Sequence, residues 1–150
     1  MAMFDKLHHI CVIVEDIDAA QKYYESIGIG PWIAYPPMTE YAELDVPNPQ
    51  AFFKLQYRVC NLRNIQWQLC QPDDQPSPQR EFLNKKGPGV YHIGFEVTDA
   101  NAAESEAKLH NLNVISRGRR ANGSGFTYYD SLTKAGMTLL TRATPPNSKT

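Results

Sequence analysis

Two histidines 83 residues apart, His9 and His92, open two near copies of one short pattern. The first copy reads H-H-I-C-V-I-V-E-D-I-D-A-A and the second Y-H-I-G-F-E-V-T-D-A-N-A-A. Ile93 lies over Ile10, Val97 over Val14 and Asp99 over Asp16 at the same offset. Each copy is a strand running into a helix. An imidazole on the first strand of each copy can ligate a metal, hold a ligand by hydrogen bonds, or sit satisfied in a core. All three roles stay open on the residues alone. His8 points to the opposite face from His9 by strand alternation, and His110 falls on the apolar stripe of a helix.

Around these histidines the pattern predicts a strand at 7–14 and a helix opened by Asp16, whose apolar stripe is Ile17, Ala20, Tyr24 and Ile27. Gly28, Gly30 and Pro31 end it. Strands follow at 51–59 and 65–71, joined by the turn Asn61-Leu62-Arg63-Asn64, after a short segment at 41–46 bounded by the loops Pro36-Pro37 and Pro47-Asn48-Pro49. Residues 74–88 form an irregular link around a short helix at 79–85. The second copy predicts strands at 90–97, 114–116, 126–129 and 137–142 and a helix at 99–110. A polar loop, R-G-R-R-A-N-G-S-G, precedes the third of these strands. The expected fold is α+β: two βαβββ modules in tandem, about 6–73 and 89–143, curling one mixed sheet around a central cleft. Residues 144–150 are expected to be a disordered tail.

Composition bounds the function. The chain has 150 residues, 42% apolar and 21% charged, with a formal net charge of −1. That length supports one domain with a full core, and the charge gives no bias toward nucleic acid or a membrane surface. No apolar run is long enough to span a bilayer, and the first residues lack the pattern of a secretory signal. Three cysteines without a C-x-x-C pair argue against a disulfide framework and fit a reducing cytoplasm.

The doubled order of H-I-C-V-I-V-E-D and Y-H-I-G-F-E-V-T-D, with I-Q-W-Q-L-C-Q-P and G-F-T-Y-Y-D before G-M-T-L-L, resembles the vicinal-oxygen-chelate superfamily. The glyoxalase-like and methylmalonyl-CoA epimerase branch is nearest. The resemblance implies a divalent metal (Zn, Co, Ni, Mn or Fe) held by His9, Gln68 and His92, with Leu140 in the fourth position, where the family has a carboxylate. Leucine ligates nothing. Gln66 shares a strand face with Gln68 and competes for its place. The resemblance also points to Glu40, in P-P-M-T-E-Y, as a catalytic carboxylate. Glu96 shares a strand face with His92 and is the other candidate base. Trp32, Tyr57 and Tyr128 are expected to line the ligand site, with Arg119 of the basic cluster meeting an anionic group.

Two functions follow as expectations. The first is a glyoxalase- or epimerase-like isomerase or lyase. It would take a small carbonyl or acyl-thioester substrate through an enolate stabilised by the metal or by polar groups. The second is a metal-free protein of the bleomycin-resistance type that sequesters a small aromatic or cationic molecule. A homodimer is expected from the family, with no nucleic-acid or membrane partner.

Overall fold

Asp16 and Asp99, at the same offset as the histidines, start two helices in the same way. The Asp16 carboxylate accepts the backbone N–H of Ala19, and the Asp99 carboxylate accepts those of Asn101 and Ala102. Each satisfies donors that a first helical turn leaves unpaired. In the computed structural model, which describes residues 3–35, 38 and 40–144, the first half of the chain runs β1 (Leu7–Ile13), α1 (Ile17–Ser26), β2 (Ile33–Ala34), β3 (Glu43–Asp45), α2 (Pro49–Phe53), β4 (Gln56–Asn61), β5 (Gln66–Gln71) and α3 (Pro78–Lys86). The second half runs β6 (Gly89–Glu96), α4 (Ala100–Leu109), β7 (Val114–Arg119), β8 (Gly125–Tyr129), α5 (Leu132–Ala135) and β9 (Thr138–Ala143). Pro36, Pro37 and 145–150 lie outside the described residues.

The chain divides into two compact units. One gathers described residues from 9–38 and 48–91, the other those from 3–8, 40–47 and 92–144. In the first, β1 pairs parallel with β5, β5 antiparallel with β4, and β4 antiparallel with β2. In the second, β6 pairs parallel with β9, β9 antiparallel with β8, and β8 antiparallel with β7. The two orders are the same, so the expected α+β repeat of βαβββ is present. The second unit has one strand more. β3 comes from the first half of the sequence and pairs antiparallel with β7.

In each unit one helix covers one sheet face. Ile17 of α1 packs with Trp32, Cys60 and Leu69, with Val12, Tyr24 and Trp67 around them. Ala103 and Ala107 of α4 pack with Met3 and Tyr129, with Phe4, Val97 and Leu112 around them. Fully burying a side chain the size of Ile17 or Leu69 contributes roughly 1.5–3 kcal/mol. Small alanines let α4 lie close to its sheet.

Several expectations change. The strand expected at 51–59 opens instead as the short helix α2, because Asn48 accepts the Ala51 N–H and Pro49 sits at the first helical position. The polar loop begins later than expected, since β7 continues through Arg119. Ile27 is exposed and leaves the α1 stripe. His110 caps α4 from an exposed position and pairs with Glu106 at 3.3 Å, so it is no core residue. Thr144 is tied down, its N–H and its hydroxyl both donating to Glu96 Oε1.

Candidate functional site

In the first unit, register and alternation sort the side chains. His9 pairs with Gln66, Cys11 with Gln68 and Ile13 with Cys70. Across β4 and β5, Asn61 pairs with Gln66, Val59 with Gln68 and Tyr57 with Cys70. Paired residues share a sheet side. His9, Gln66, Gln68, Asn61 and Tyr57 therefore lie on the side away from α1, since Val12 and Leu69, the intervening pair, pack under the helix. His9, Gln66 and Gln68 are all buried. The amides form a chain: Gln68 Nε2 donates to Gln66 Oε1 at 2.8 Å, and Gln66 Nε2 donates to Asn61 Oδ1 at 2.9 Å. Gln66 is the register partner of His9, and Gln68 lies two residues beyond it on the same side. Burial first, then a hydrogen bond and repulsion from Cys70, raises the Cys11 thiol well above its ordinary range. These cysteines are packing, not nucleophiles.

Trp32 does not join this face. Its ring packs on Tyr24 at 5.5 Å beneath α1, and its indole N–H donates to the Ile29 carbonyl at 2.9 Å. The expected ligand contact is a core residue with its one polar atom satisfied. Tyr57 lies on the His9 side, with Tyr35 5.9 Å from it.

In the second unit, His92 pairs with Thr138 and Gly94 with Leu140, and Leu140 in turn with Tyr128. Gln68 and Leu140 therefore occupy equivalent places: each lies opposite the second residue after its histidine. The His92 ring meets Tyr128 edge to face at 5.0 Å. Tyr128 meets Phe126 at 5.4 Å, and Phe126 meets Tyr41 at 5.3 Å. The Arg120 guanidinium then lies 4.7 Å over the Tyr41 ring. Gly118 makes room for this row, since a Cβ there would stand 2.7 Å from the Phe126 ring and 3.0 Å from that of Tyr41. Burial lowers the His92 pKa to about 3, so the ring is neutral near pH 7.

The remaining candidates separate. Arg119, expected to meet a ligand, is 2% exposed. Its nitrogens donate to the Asn101 side chain, the Gly118 and Phe126 carbonyls and Thr127, and Glu104 lies 2.8 Å away. A buried guanidinium so engaged is structural, and Arg120 is the arginine beside the aromatic row. Glu96 spends its carboxylate on Thr144 and, at 3.6 Å, on Arg142. His8 lies 3.5 Å from Arg142. Burial, then Arg142 and Lys6, lowers the His8 pKa to about 4. Glu40 is exposed. Within the first unit Gln68 and His9 share a sheet face, and within the second unit His92, Leu140 and Tyr128 share one. Sequence reading missed the roles of Asn61, Gln66 and Tyr41. The alternation Q-W-Q and the hairpin turn at Asn61 were the available signals for the first two.

The sequence profile of the Glyoxalase/Bleomycin resistance protein/Dioxygenase superfamily matches residues 8–129. The chain belongs to this superfamily. Among curated proteins it is similar to the mitochondrial methylmalonyl-CoA epimerase of Bos taurus, 26% identical over 80% of this chain and 62% of that protein. It thus spans under two thirds of the bovine protein's length. It is also similar to the ethylmalonyl-CoA/methylmalonyl-CoA epimerase of Cereibacter sphaeroides, 27% identical over 81% of this chain and 83% of that one. Among solved structures, the methylmalonyl-CoA epimerase of Mycobacterium tuberculosis shares the fold, with a TM-score of 0.71, 19% identity and coverage of 97% and 92% of the two chains.

The superfamily's metal can be tested against the donors this member has. His9, Gln68 and His92 are neutral groups, and the fourth place is the 3% exposed Leu140. Among the described residues no group of three or more histidines, cysteines or carboxylates could hold a metal ion. These donors carry no charge and leucine fills the fourth place, so the four-ligand set that the resemblance implies is incomplete here. Among the described residues, no helix is long and apolar enough to cross a membrane.

Proposed function

We propose that the chain is a glyoxalase/epimerase-like enzyme that binds a small carbonyl or acyl-thioester compound and moves a proton on the carbon beside the carbonyl. The observation that carries this reading is the buried imidazole at the same place in both repeats, with His92 held neutral by burial. A neutral imidazole donates an N–H to a developing oxyanion without surrendering its proton, which stabilises an enolate. His92 takes that role, and His9 and Gln68 make further polar contacts with the substrate. Tyr57 and Tyr128 give apolar walls. Glu40 is the base, because Glu96 is committed to Thr144 and Arg142. The epimerase names of the curated relatives support an acyl-CoA thioester as substrate.

The test is exchange of the methylmalonyl-CoA α-proton into D2O, followed by mass spectrometry. Wild type should incorporate deuterium. Glu40→Gln should slow exchange by about 10²–10⁴-fold, the usual worth of a positioned base. Glu96→Gln should leave it nearly unchanged. Deuterium uptake no faster than without protein would overturn the reading. Leu140 and the aromatic row favour a second reading, metal-free sequestration of an aromatic compound. It predicts no exchange and a Tm raised by aromatic compounds. The cytoplasmic setting is supported by three buried free cysteines. The homodimer belongs to the same proposal, and sedimentation velocity checks it.

A further inference from the structure

The polar contact assigned to Gln68 has a direction. Its Nε2 is committed to Gln66 Oε1 at 2.8 Å, and Gln66 Nε2 is committed to Asn61 Oδ1 at 2.9 Å. Gln66 and Gln68 are 6% and 5% exposed, so water competes weakly for these bonds. Asn61 lies on the same sheet side at the end of β4 and is exposed. A chain of this kind propagates one choice. If the Asn61 oxygen accepts, the Gln66 oxygen must accept next, and the Gln68 oxygen is left over as an acceptor.

We propose that Asn61 and Gln66 are positioning residues that hold Gln68 with its amide oxygen toward the ligand, so that the group it meets is a hydrogen-bond donor: a hydroxyl, an amide N–H or an undissociated carboxyl. The proposal rests on the reading that Gln68 contacts substrate. It sharpens that reading, because an outward oxygen cannot stabilise an enolate. That task passes to imidazole N–H groups, and Gln68 instead selects substrates carrying a donor. A ligand offering only acceptors, such as a carboxylate, meets repulsion at this position.

Side-chain amide spectra of the free ¹⁵N-labelled protein test the orientation without any substrate. In the proposed relay both Gln66 and Gln68 carry a hydrogen-bonded NH₂ proton, shifted downfield and exchanging at least about tenfold more slowly than in exposed glutamines. In the reversed relay Gln66 keeps that signature and Gln68 loses it, which would overturn the proposal. Asn61→Ala lies at an exposed turn and preserves the fold. It should free Gln68 to flip and reduce its protection, while Asn61→Asp keeps the acceptor and restores it. Gln66→Met should act like Asn61→Ala, and Gln66→Glu like Asn61→Asp. In the methylmalonyl-CoA assay the donor that Gln68 meets is a pantetheine amide N–H, not the carboxylate, and Asn61→Ala should raise KM by up to about tenfold at nearly constant kcat, with rescue in Asn61→Asp. Unchanged KM alongside lost protection would overturn the ligand-directed half of the proposal. Should wild type fail to turn over this substrate, the functional reading falls while the amide spectra still decide the relay.

Discussion

At His92, burial withholds the water that would solvate an imidazolium, and the ring stays neutral down to a pKa of about 3. The unfolded chain, with an ordinary value near 6.5, binds the proton that the fold refuses. Stability must therefore fall as pH drops from about 6.5 toward 3, by up to about 1.4 kcal/mol per pH unit from this residue. His8, lowered to about 4, acts in the same direction. Urea unfolding at pH 7 and pH 5 should show a loss of stability of which about 2 kcal/mol disappears in His92→Gln. Equal pH slopes in the two proteins would contradict this origin. Gly118 makes a second residue-level prediction. A methyl there collides with Phe126 and Tyr41, so Gly118→Ala should cost about 1–3 kcal/mol and alter the near-UV circular dichroism. An unchanged Tm would mean that the row is loosely packed. The histidine pair was legible in the sequence because a repeat carries it. The amide relay was not, because it depends on the register of β4 against β5 and on which way each amide turns. Trp32 stands just before β2, where strand alternation does not apply, and its ring packs on Tyr24 beneath α1.

Elements are held by local chemistry and by a few long-range ties. Glu104 of α4 reaches Arg117 and Arg119, both at 2.8 Å, and accepts from the Thr127 hydroxyl at 2.7 Å. One carboxylate thus fastens α4 to β7 and β8. Removing its charge leaves the buried Arg119 without compensation, and Glu104→Gln should cost roughly 3 kcal/mol in urea unfolding. Arg58 and Asp18 tie α1 to β4 at 3.0 Å, but Asp18 is 73% exposed. Asp18→Asn should cost under about 1 kcal/mol. Similar losses for the two variants would show that burial does not separate these ion pairs. The same contrast explains what could be read from sequence. Helix starts at Asp16 and Asp99 are written in adjacent residues, so both helices were legible. The extension of β7 was not, because R-G-R-R looks solvated until Glu104 supplies its partner. The helix at Asn48-Pro49 was legible in principle, but Pro47-Asn48-Pro49 reads as a loop and Phe52 and Phe53 favour a strand.

Across the whole chain, one βαβββ plan occurs twice, and its copies differ on the sheet sides away from their helices. One carries amides around His9, the other aromatics around His92. The architecture was legible because duplication repeats its signals. Leu140 stands where the other copy has Gln68. A member with this donor set should work without a dication. Dialysis against a chelator should leave proton exchange unchanged, and a loss restored by one metal would return catalysis to an ion. The claim that most depends on the fold is that His92 meets substrate as a neutral donor. Long-range ¹H–¹⁵N spectra of histidine-labelled protein, recorded at pH 6 with and without methylmalonyl-CoA, test it directly. The account predicts a neutral-tautomer pattern for His92 whose donor nitrogen shifts on adding the thioester. An imidazolium pattern at that pH, or a His92 signal indifferent to saturating thioester, would contradict it.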